Sequence, residues 1–350
     1  MICKLNILDM NNKTLIYVGF AFKHHKGTHG GYHQIKDFIQ YDKIIDCQNF
    51  IEKNDTPPTN IITKFLRKVL NKFIGFPTIP YYLLYCIWLA ITRKNLVFHF
   101  IYGENTYKWL HLFCGKTNKI ILTLHQPLEY FQNDKAWLKK IQKVHAIILV
   151  GKQELESFKK VTQQNNIYFI PHGIRTDFYN PNKEIPKENM ILTVGNWLRD
   201  YAFANEVYQK LLEKNKDLTI YIVSNPINKK FITPHKNIHF LNNISDDELK
   251  NLYQRCNCLF LPLSRYTANN ALLEAAATGC QIAIASNELD NSYIPENLLK
   301  QTNLSTIHCI SMLNECIKNS EIDYRISNFV KNNYDWNIIA KQIKKLYQQL

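Results

Sequence analysis

The stretch CNCLFLPLSRYTANNALLEAAATGCQIAIAS, from Cys256 to Ser286, constrains the fold more than any other part of the chain. Cys258 to Leu263 is a short apolar run of strand type, Ser264 to Asn270 a polar turn, and Ala271 to Ala277 a helix-forming run. Gly279 stops that helix, and Gln281 to Ala285 is a second buried strand. Strand, turn, helix and strand in this order make one crossover unit of a parallel sheet. The turn would deliver backbone N–H groups at a helix N-terminus, where phosphate binds well. One turn further in, Glu274 would reach a sugar hydroxyl. Phosphate and ribose at one helix start point to a nucleotide-type ligand.

The same alternation runs through the rest of the chain. Strands are expected at Thr14 to Phe20, Leu96 to Ile101, Lys119 to Leu124, Ala146 to Val150 and Ile167 to Ile170. A polar loop, KHHKGTHGG, follows the first strand, with a helix expected from about Tyr32, and Gln153 to Val161 is expected as another helix. The Pro-containing polar stretch Asp177 to Asn189 reads as a linker. Beyond it, strands are expected at Met190 to Val194, Leu218 to Val223 and Ile238 to Leu241. Ser245, Asp246 and Asp247 would cap a helix reaching about Arg255. Trp336 to Leu350 closes the chain as a helix with apolar positions at Ile339, Ile343, Leu346 and Leu350. Alternation of this kind means a parallel α/β sheet, and 350 residues suit two such domains rather than one core. Two doubly wound units leave a cleft between the carboxyl ends of their strands.

The net charge of +14 is unevenly spread. Residues 1–165 hold 23 Lys and Arg against 11 Asp and Glu, and the remainder holds 20 against 18. The basic excess of the first half predicts an anionic partner. IITKFLRKVLNKFI, Ile61 to Ile74, would place one apolar face opposite Lys64, Arg67, Lys68 and Lys72 on a helix, and no acidic residue occurs from Thr56 to Gly103. That pattern suits a helix lying on an anionic membrane surface, beside the acceptor. It also suits a helix packed on its own sheet with a solvated basic side. Cations backed by an apolar face, rather than interleaved with aromatics, argue against a nucleic-acid partner.

The nine cysteines show no C-x-x-C spacing and read as reduced thiols in or near the core. Cys256 and Cys258, on one strand, are expected to share a face. The start MICKLNILDMNNK is too polar for a signal peptide, and the longest apolar run, Tyr81 to Ile91, is far short of the ~20 residues of a spanning helix. The expected location is cytoplasmic, and a membrane-bound reading of Ile61 to Ile74 would put the chain at the inner face of the membrane.

The order of several phrases resembles the retaining nucleotide-sugar glycosyltransferases of the family-4 type (glycosyl transferases group 1). These phrases are IPHGIRTDFYNP at Ile170, ILTVGNW at Ile191, FLNNISDDELKNLYQRCNCLFLPL at Phe240, ALLEAAATGCQIAIAS at Ala271, and the closing Tyr334-Asp335-Trp336 with its helix. The resemblance implies a GT-B fold, two Rossmann-like doubly wound domains facing across a cleft. It divides the chain into an acceptor-binding domain (1–170), a hinge (171–189), a nucleotide-sugar-binding domain (190–330) and a C-terminal helix crossing back to the first domain (331–350).

It also implies transfer of a sugar from a nucleotide-diphosphate sugar to a glycan or lipid-linked acceptor of polysaccharide biosynthesis. Anomeric configuration would be retained, with no metal and no cofactor beyond the sugar nucleotide. On this reading Glu274 binds the ribose, and Asn269, Asn270 and Ala271 present backbone N–H groups to the diphosphate. Thr267 or an Asn caps the same helix, and Arg199 supplies the positive charge. The family's first signature glutamate is Tyr266 here, and its phosphate-binding Arg and Lys positions hold Asn196 and Tyr201; Tyr266, Thr267 and Asn196 are expected among the donor-binding residues all the same. Gly30 and Gly31 correspond to a loop that faces the donor phosphate and the acceptor, and His125 to a histidine that contacts the donor sugar. Glu104, His99 and His172 are weaker candidates. Two other readings fit the same residues: a nucleotide-sugar 2-epimerase of this fold, and a non-catalytic protein that binds a carbohydrate or a partner.

Overall fold

A computed structural model describes residues 13–48, 80–264, 269–287 and 293–350. The chain divides into two compact units. The first comprises the described parts of Met1–Lys26, Tyr32–Ile170 and Ala340–Leu350; the second comprises Gly27–Gly31 and Pro171–Ile339.

In the first unit, β1 (Thr14–Gly19), β2 (Lys43–Asp46), β3 (Leu96–Phe100), β4 (Lys119–Leu124), β5 (Ala146–Leu149) and β6 (Ile167–Phe169) form a parallel sheet of order β2-β1-β3-β4-β5-β6. Among the described residues its helices include α1 (Tyr81–Thr92), α2 (Gly103–Thr106), α3 (Lys135–Ile141) and α4 (Leu155–Thr162). β3 and β5 are buried along their whole length, as strands covered on both faces must be. The order reverses between β1 and β3, so the loops after those strands meet at a topological switch point.

The expected helix from Tyr32 is instead a 3-10 turn, Tyr32–Asp37. Four consecutive side chains, Tyr32, His33, Gln34 and Ile35, are buried there. Such a block has no 3.6-residue stripe for an α-helix to present to a core.

In the second unit, β7 (Glu188–Val194), β8 (Thr219–Val223), β9 (Ile238–Leu241), β10 (Cys256–Pro262), β11 (Gln281–Ala285) and β12 (Lys300–Thr302) form the parallel order β12-β11-β10-β7-β8-β9. Here the switch point lies between β7 and β10. Helix α5 (Tyr201–Lys214) turns Tyr201, Ala204, Val207, Tyr208 and Leu211 onto the sheet, and α8 (Thr306–Lys318) adds Cys309, Met312, Leu313 and Cys316 to the same core. α6 (Asp246–Arg255) starts in a capping box between Ser245 and Glu248, and α7 (Asn270–Ala277) follows β10. α9 (Tyr324–Tyr334) and α10 (Trp336–Gln349) complete the element order.

The register of β10 on β7 shifts between Cys256 and Cys258. Cys256 Sγ lies 3.1 Å from Cys280 Sγ, and the eight described cysteines are all free thiols.

The phrases around Ile174 and Asp335 are laced together within the second unit. Ile174 N donates to Tyr334 O at 2.8 Å, Trp336 N donates to Ile174 O at 3.2 Å, and Thr176 Oγ1 donates to the Asp335 carboxylate. A Cβ on Gly173 would collide with the Trp336 ring, so glycine is required for this approach. His172 is buried beside the same ring, and its backbone N–H donates to Tyr293 Oη at 3.0 Å. Within the first unit, Tyr347 near the end of α10 bonds His99 Nδ1 at 2.6 Å and Tyr41 Oη at 2.9 Å.

Candidate functional site

The described residues among those singled out from the sequence fall into two groups, one on each unit. In the second unit the chain leaves β7 through Gly195, whose φ of +113° lies in the left-handed region that favours glycine. A Cβ there would come within 3.0 Å of the Arg199 guanidinium, so glycine also leaves room for that side chain to fold back. Arg199 Nε donates to Val194 O at 3.1 Å and its Nη1 donates to Trp197 O at 3.0 Å. Its Nη2 donates to Asn269 Oδ1 at 2.9 Å. The Arg199 backbone forms an isolated bridge with Leu263, just past β10. Arg199 and Asn269, which are 70 positions apart, are thus joined across the switch point of the sheet.

Asn269 is the N-cap of α7, and its side chain accepts from Leu272 N at 3.3 Å. Asn270 opens the helix and Ala271 is buried in its first turn, so the expected turn ends one residue sooner than the sequence pattern placed it. Asn196 takes a local role. Its Oδ1 accepts from Ser224 Oγ at 2.8 Å and from Asn225 N at 2.6 Å, tying the loop after β7 to the loop after β8. Tyr266 and Thr267 lie outside the described residues.

Glu274, one turn into α7, is 5% exposed. Among the described residues its one side-chain hydrogen bond is from Tyr253 Oη to Oε2, at 3.0 Å. Burial pushes the carboxyl up to about 7; Asp246 adds to the rise and the Tyr253 hydrogen bond opposes it. The ring of Tyr179 stands edge-on to Tyr253, and burial raises the hydroxyl pKa of Tyr179 well above the ordinary value, with Glu274 and Asp246 adding to it. Near neutral pH this carboxyl therefore sits close to its titration point, and a ligand that donates hydrogen bonds to it would favour its ionised form.

Gly30 and Gly31 are buried, and Gly31 has a φ of +90°. Their segment is anchored by His29, whose backbone N–H donates to Asp246 Oδ2. The His29 ring nitrogen Nδ1 lies 2.9 Å from the same oxygen, and the ring stacks on Phe178 at 3.7 Å. Neither Tyr253 nor the His29–Asp246 contact was foreseen. The only sequence signals were the histidine-rich loop KHHKGTHGG and the acidic helix start SDDE, which spacing alone does not pair.

In the first unit His125 follows β4. Its backbone N–H donates to Glu104 Oε1 at 3.1 Å, and its Nδ1 lies 3.2 Å from the same oxygen. A carboxylate on Nδ1 fixes the tautomer, leaving Nε2 of the neutral ring as an acceptor. Among the described residues, neither His125 Nε2 nor Glu104 Oε2, both buried, has a hydrogen-bond partner. The rings of Tyr32 and Tyr102 pack against the imidazole, with centroids at 4.9 and 4.7 Å.

His99 is a structural histidine. It bonds Tyr347 Oη through Nδ1 and Thr123 Oγ1 through Nε2, at 2.6 and 2.7 Å, and burial pushes its pKa down to about 3. Lys64, Arg67, Lys68 and Lys72 lie outside the described residues. Among the described residues no cluster of three or more His, Cys, Asp or Glu could hold a metal ion.

Solved structures share this architecture. A glycosyltransferase from Rickettsia africae is similar with a TM-score of 0.61 and 15% identity, covering 97% of this chain and 98% of its own. A sucrose-phosphate synthase from Thermosynechococcus elongatus gives 0.65 and 14%, over 96% and 98%. HepE from Anabaena, solved in complex with UDP-glucose, gives 0.66 and 11%, over 96% and 100%. At these identities the likeness establishes the fold: the chain is a GT-B protein with two Rossmann-like sheets. No protein-family model and no curated protein matches it.

Proposed function

We propose that this chain is a glycosyltransferase that moves a hexose from a nucleotide-diphosphate sugar to a glycan or lipid-linked acceptor. The observation that carries this reading is the Arg199–Asn269 hydrogen bond across the β7/β10 switch point. Ligands of open parallel sheets sit outside the carboxyl ends of the strands at such a reversal. There a forked cation and the first turn of α7 offer the two features that a diphosphate requires. Glu274 would take the ribose hydroxyls. The fold shared with HepE, solved with UDP-glucose, supports the choice of ligand.

In the reaction, the bond between the anomeric carbon and the diphosphate oxygen breaks and its electron pair leaves with the diphosphate. The acceptor hydroxyl oxygen bonds to the anomeric carbon and gives up its proton to the departing diphosphate. Negative charge grows on the leaving group, where Arg199 and the α7 amides would stabilise it without a metal. The resemblance assigns His125 to the donor sugar, with retention of configuration; Glu104 would hold that ring in one tautomer. The cations Lys64, Arg67, Lys68 and Lys72 suit work at the cytoplasmic face of an anionic membrane.

A non-catalytic sugar-nucleotide-binding protein is the second reading. Asn196, standing where the family has a cation, favours it, because its carbonyl is engaged by Ser224 and Asn225. A thermal-shift panel of nucleotide-diphosphate sugars, followed by assay for release of nucleoside diphosphate, separates the two. Stabilisation with release supports the transferase, stabilisation without release supports the second reading, and no stabilisation by any donor defeats both.

A further inference from the structure

Helix α1 carries no charged side chain and no Asn or Gln: its sequence is YYLLYCIWLAIT. One side, with Tyr82, Leu83, Cys86, Leu89 and Ala90, is buried. The opposite side should be polar if it faced only water. Instead Tyr81, Leu84, Tyr85, Trp88 and Ile91 recur at helical spacing, with Tyr81 89%, Trp88 51% and Ile91 65% exposed. The rings of Tyr85 and Trp88 stack at 5.7 Å, which makes the stripe a pre-formed surface.

We propose that this stripe is a docking face for an anionic lipid surface, with α1 lying in the headgroup region parallel to the membrane. Three observations favour lipid over a protein partner. Tyr and Trp, amphipathic rings that settle at headgroup depth, occupy three of the five positions. Cations flank the stripe: Lys43 Nζ donates to Tyr85 Oη and lies 5.0 Å above that ring, and Arg93 and Lys94 follow the helix. Asp42 and Asp46, near Lys43, are engaged by the backbone N–H groups of Leu15 and Gln48.

The stripe also lacks the amide and carboxylate groups that form the polar rim of a specific protein interface. Thr92, at its end, donates to Trp88 O within the helix. Five side chains on a 12-residue helix fall short of the about 800 Å² per partner that a stable dimer buries. No helix among the described residues is long and apolar enough to cross a membrane, so α1 would lie on the surface. This inference stands apart from the donor chemistry and from the lysines of residues 64–72.

The test is co-sedimentation of the full chain with vesicles of phosphatidylcholine alone or mixed with phosphatidylglycerol. The wild type should partition onto the mixed vesicles. The double variant Tyr81→Ser, Trp88→Ser should lose at least about tenfold in partitioning, since a buried aromatic side chain is worth that much. Tyr324→Ser, which removes an exposed aromatic from α9, should partition as the wild type does. Brominated lipid should quench tryptophan fluorescence more in the wild type than in Trp88→Phe, which keeps the test valid should the double variant misfold. Uridine diphosphate binding, followed in parallel, reports on the donor site separately. Wild type that stays in solution with mixed vesicles, a double variant that partitions undiminished, or equal quenching with and without Trp88 would overturn the proposal. A self-association dispersed by the double variant, without vesicle binding, would assign the stripe to a second copy and overturn it equally.

Discussion

The hydroxyl of Tyr253 donates to Oε2 of Glu274 at 3.0 Å, one buried side chain on α6 orienting another on α7. Burial holds this carboxyl near 7, and the tyrosine bond is what restrains it from rising further. A ribose that donates hydrogen bonds to Glu274 binds best to the ionised form, so nucleotide affinity should fall as pH drops through about 7. In Tyr253→Phe the carboxyl loses a bond that lowers its pKa, and the fall should begin at higher pH. Calorimetric titration of a nucleoside diphosphate across this range checks it; an affinity independent of pH in both proteins would separate Glu274 from the ligand.

The same carboxyl should weaken the fold when ionised. Its pKa in the folded chain is raised from an ordinary 4.5 to about 7, so the native state keeps a proton that the unfolded chain releases between those values. Stability relative to Glu274→Gln should therefore fall as pH rises through this window, by at most about 3 kcal/mol above it. Denaturant unfolding of both proteins at several pH values measures the difference. A pH-independent gap would mean that the carboxyl does not titrate there.

Arg199→Ala should weaken nucleoside diphosphate binding by about ten- to a hundredfold, the worth of a charge-assisted hydrogen bond. Arg199→Lys should recover only part, because a single ammonium cannot reproduce three separate donor directions. Asn269→Ala removes the α7 cap and should also lower stability by about 1 kcal/mol. Isothermal titration and thermal unfolding of the three variants read these effects.

How much of this was legible in the sequence depends on the range of the interaction. The buried strands β5 and β10 announce themselves as apolar runs bounded by polar turns, and the capping box at Ser245 is a local pattern. Local spacing likewise placed Glu274 one turn into α7. The 3-10 turn at Tyr32 was not legible, because the burial of the polar His33 and Gln34 beside Tyr32 and Ile35 comes from tertiary packing that local spacing does not show. Nor were the partners of the candidate residues. Tyr253 meets Glu274 only because α6 and α7 pack together, and Arg199 meets Asn269 only because β7 and β10 are neighbours in the sheet. The motif position makes Asn196 a donor-binding candidate, but spacing alone did not show that its Oδ1 also holds the next loop through Ser224 and Asn225.

His125→Ala should lower kcat/KM for transfer by about a hundredfold while leaving nucleoside diphosphate affinity within about twofold, since general acid–base or electrostatic contacts of this kind act on the reacting sugar. Glu104→Gln preserves an acceptor for His125 Nδ1 but removes the charge, and should give an intermediate loss. Steady-state kinetics with a donor that stabilises the chain in the thermal-shift panel separates the two; equal losses in affinity and turnover would point to misfolding of the loop after β4.

Gly173→Ala should destabilise the chain by about 1–3 kcal/mol, because the new methyl group has to displace the buried Trp336 ring. Chemical denaturation measures this directly, and a neutral result would mean that the contact between Gly173 and α10 is looser than its geometry.

Crystals soaked with uridine or guanosine diphosphate examine the β7/β10 switch point most directly as the nucleotide site. The expected result is density for both phosphoryl groups beside Arg199 and the first turn of α7, with the ribose hydroxyls at Glu274. Density for the nucleotide elsewhere on the chain, with that position vacant, would contradict the assignment of the site.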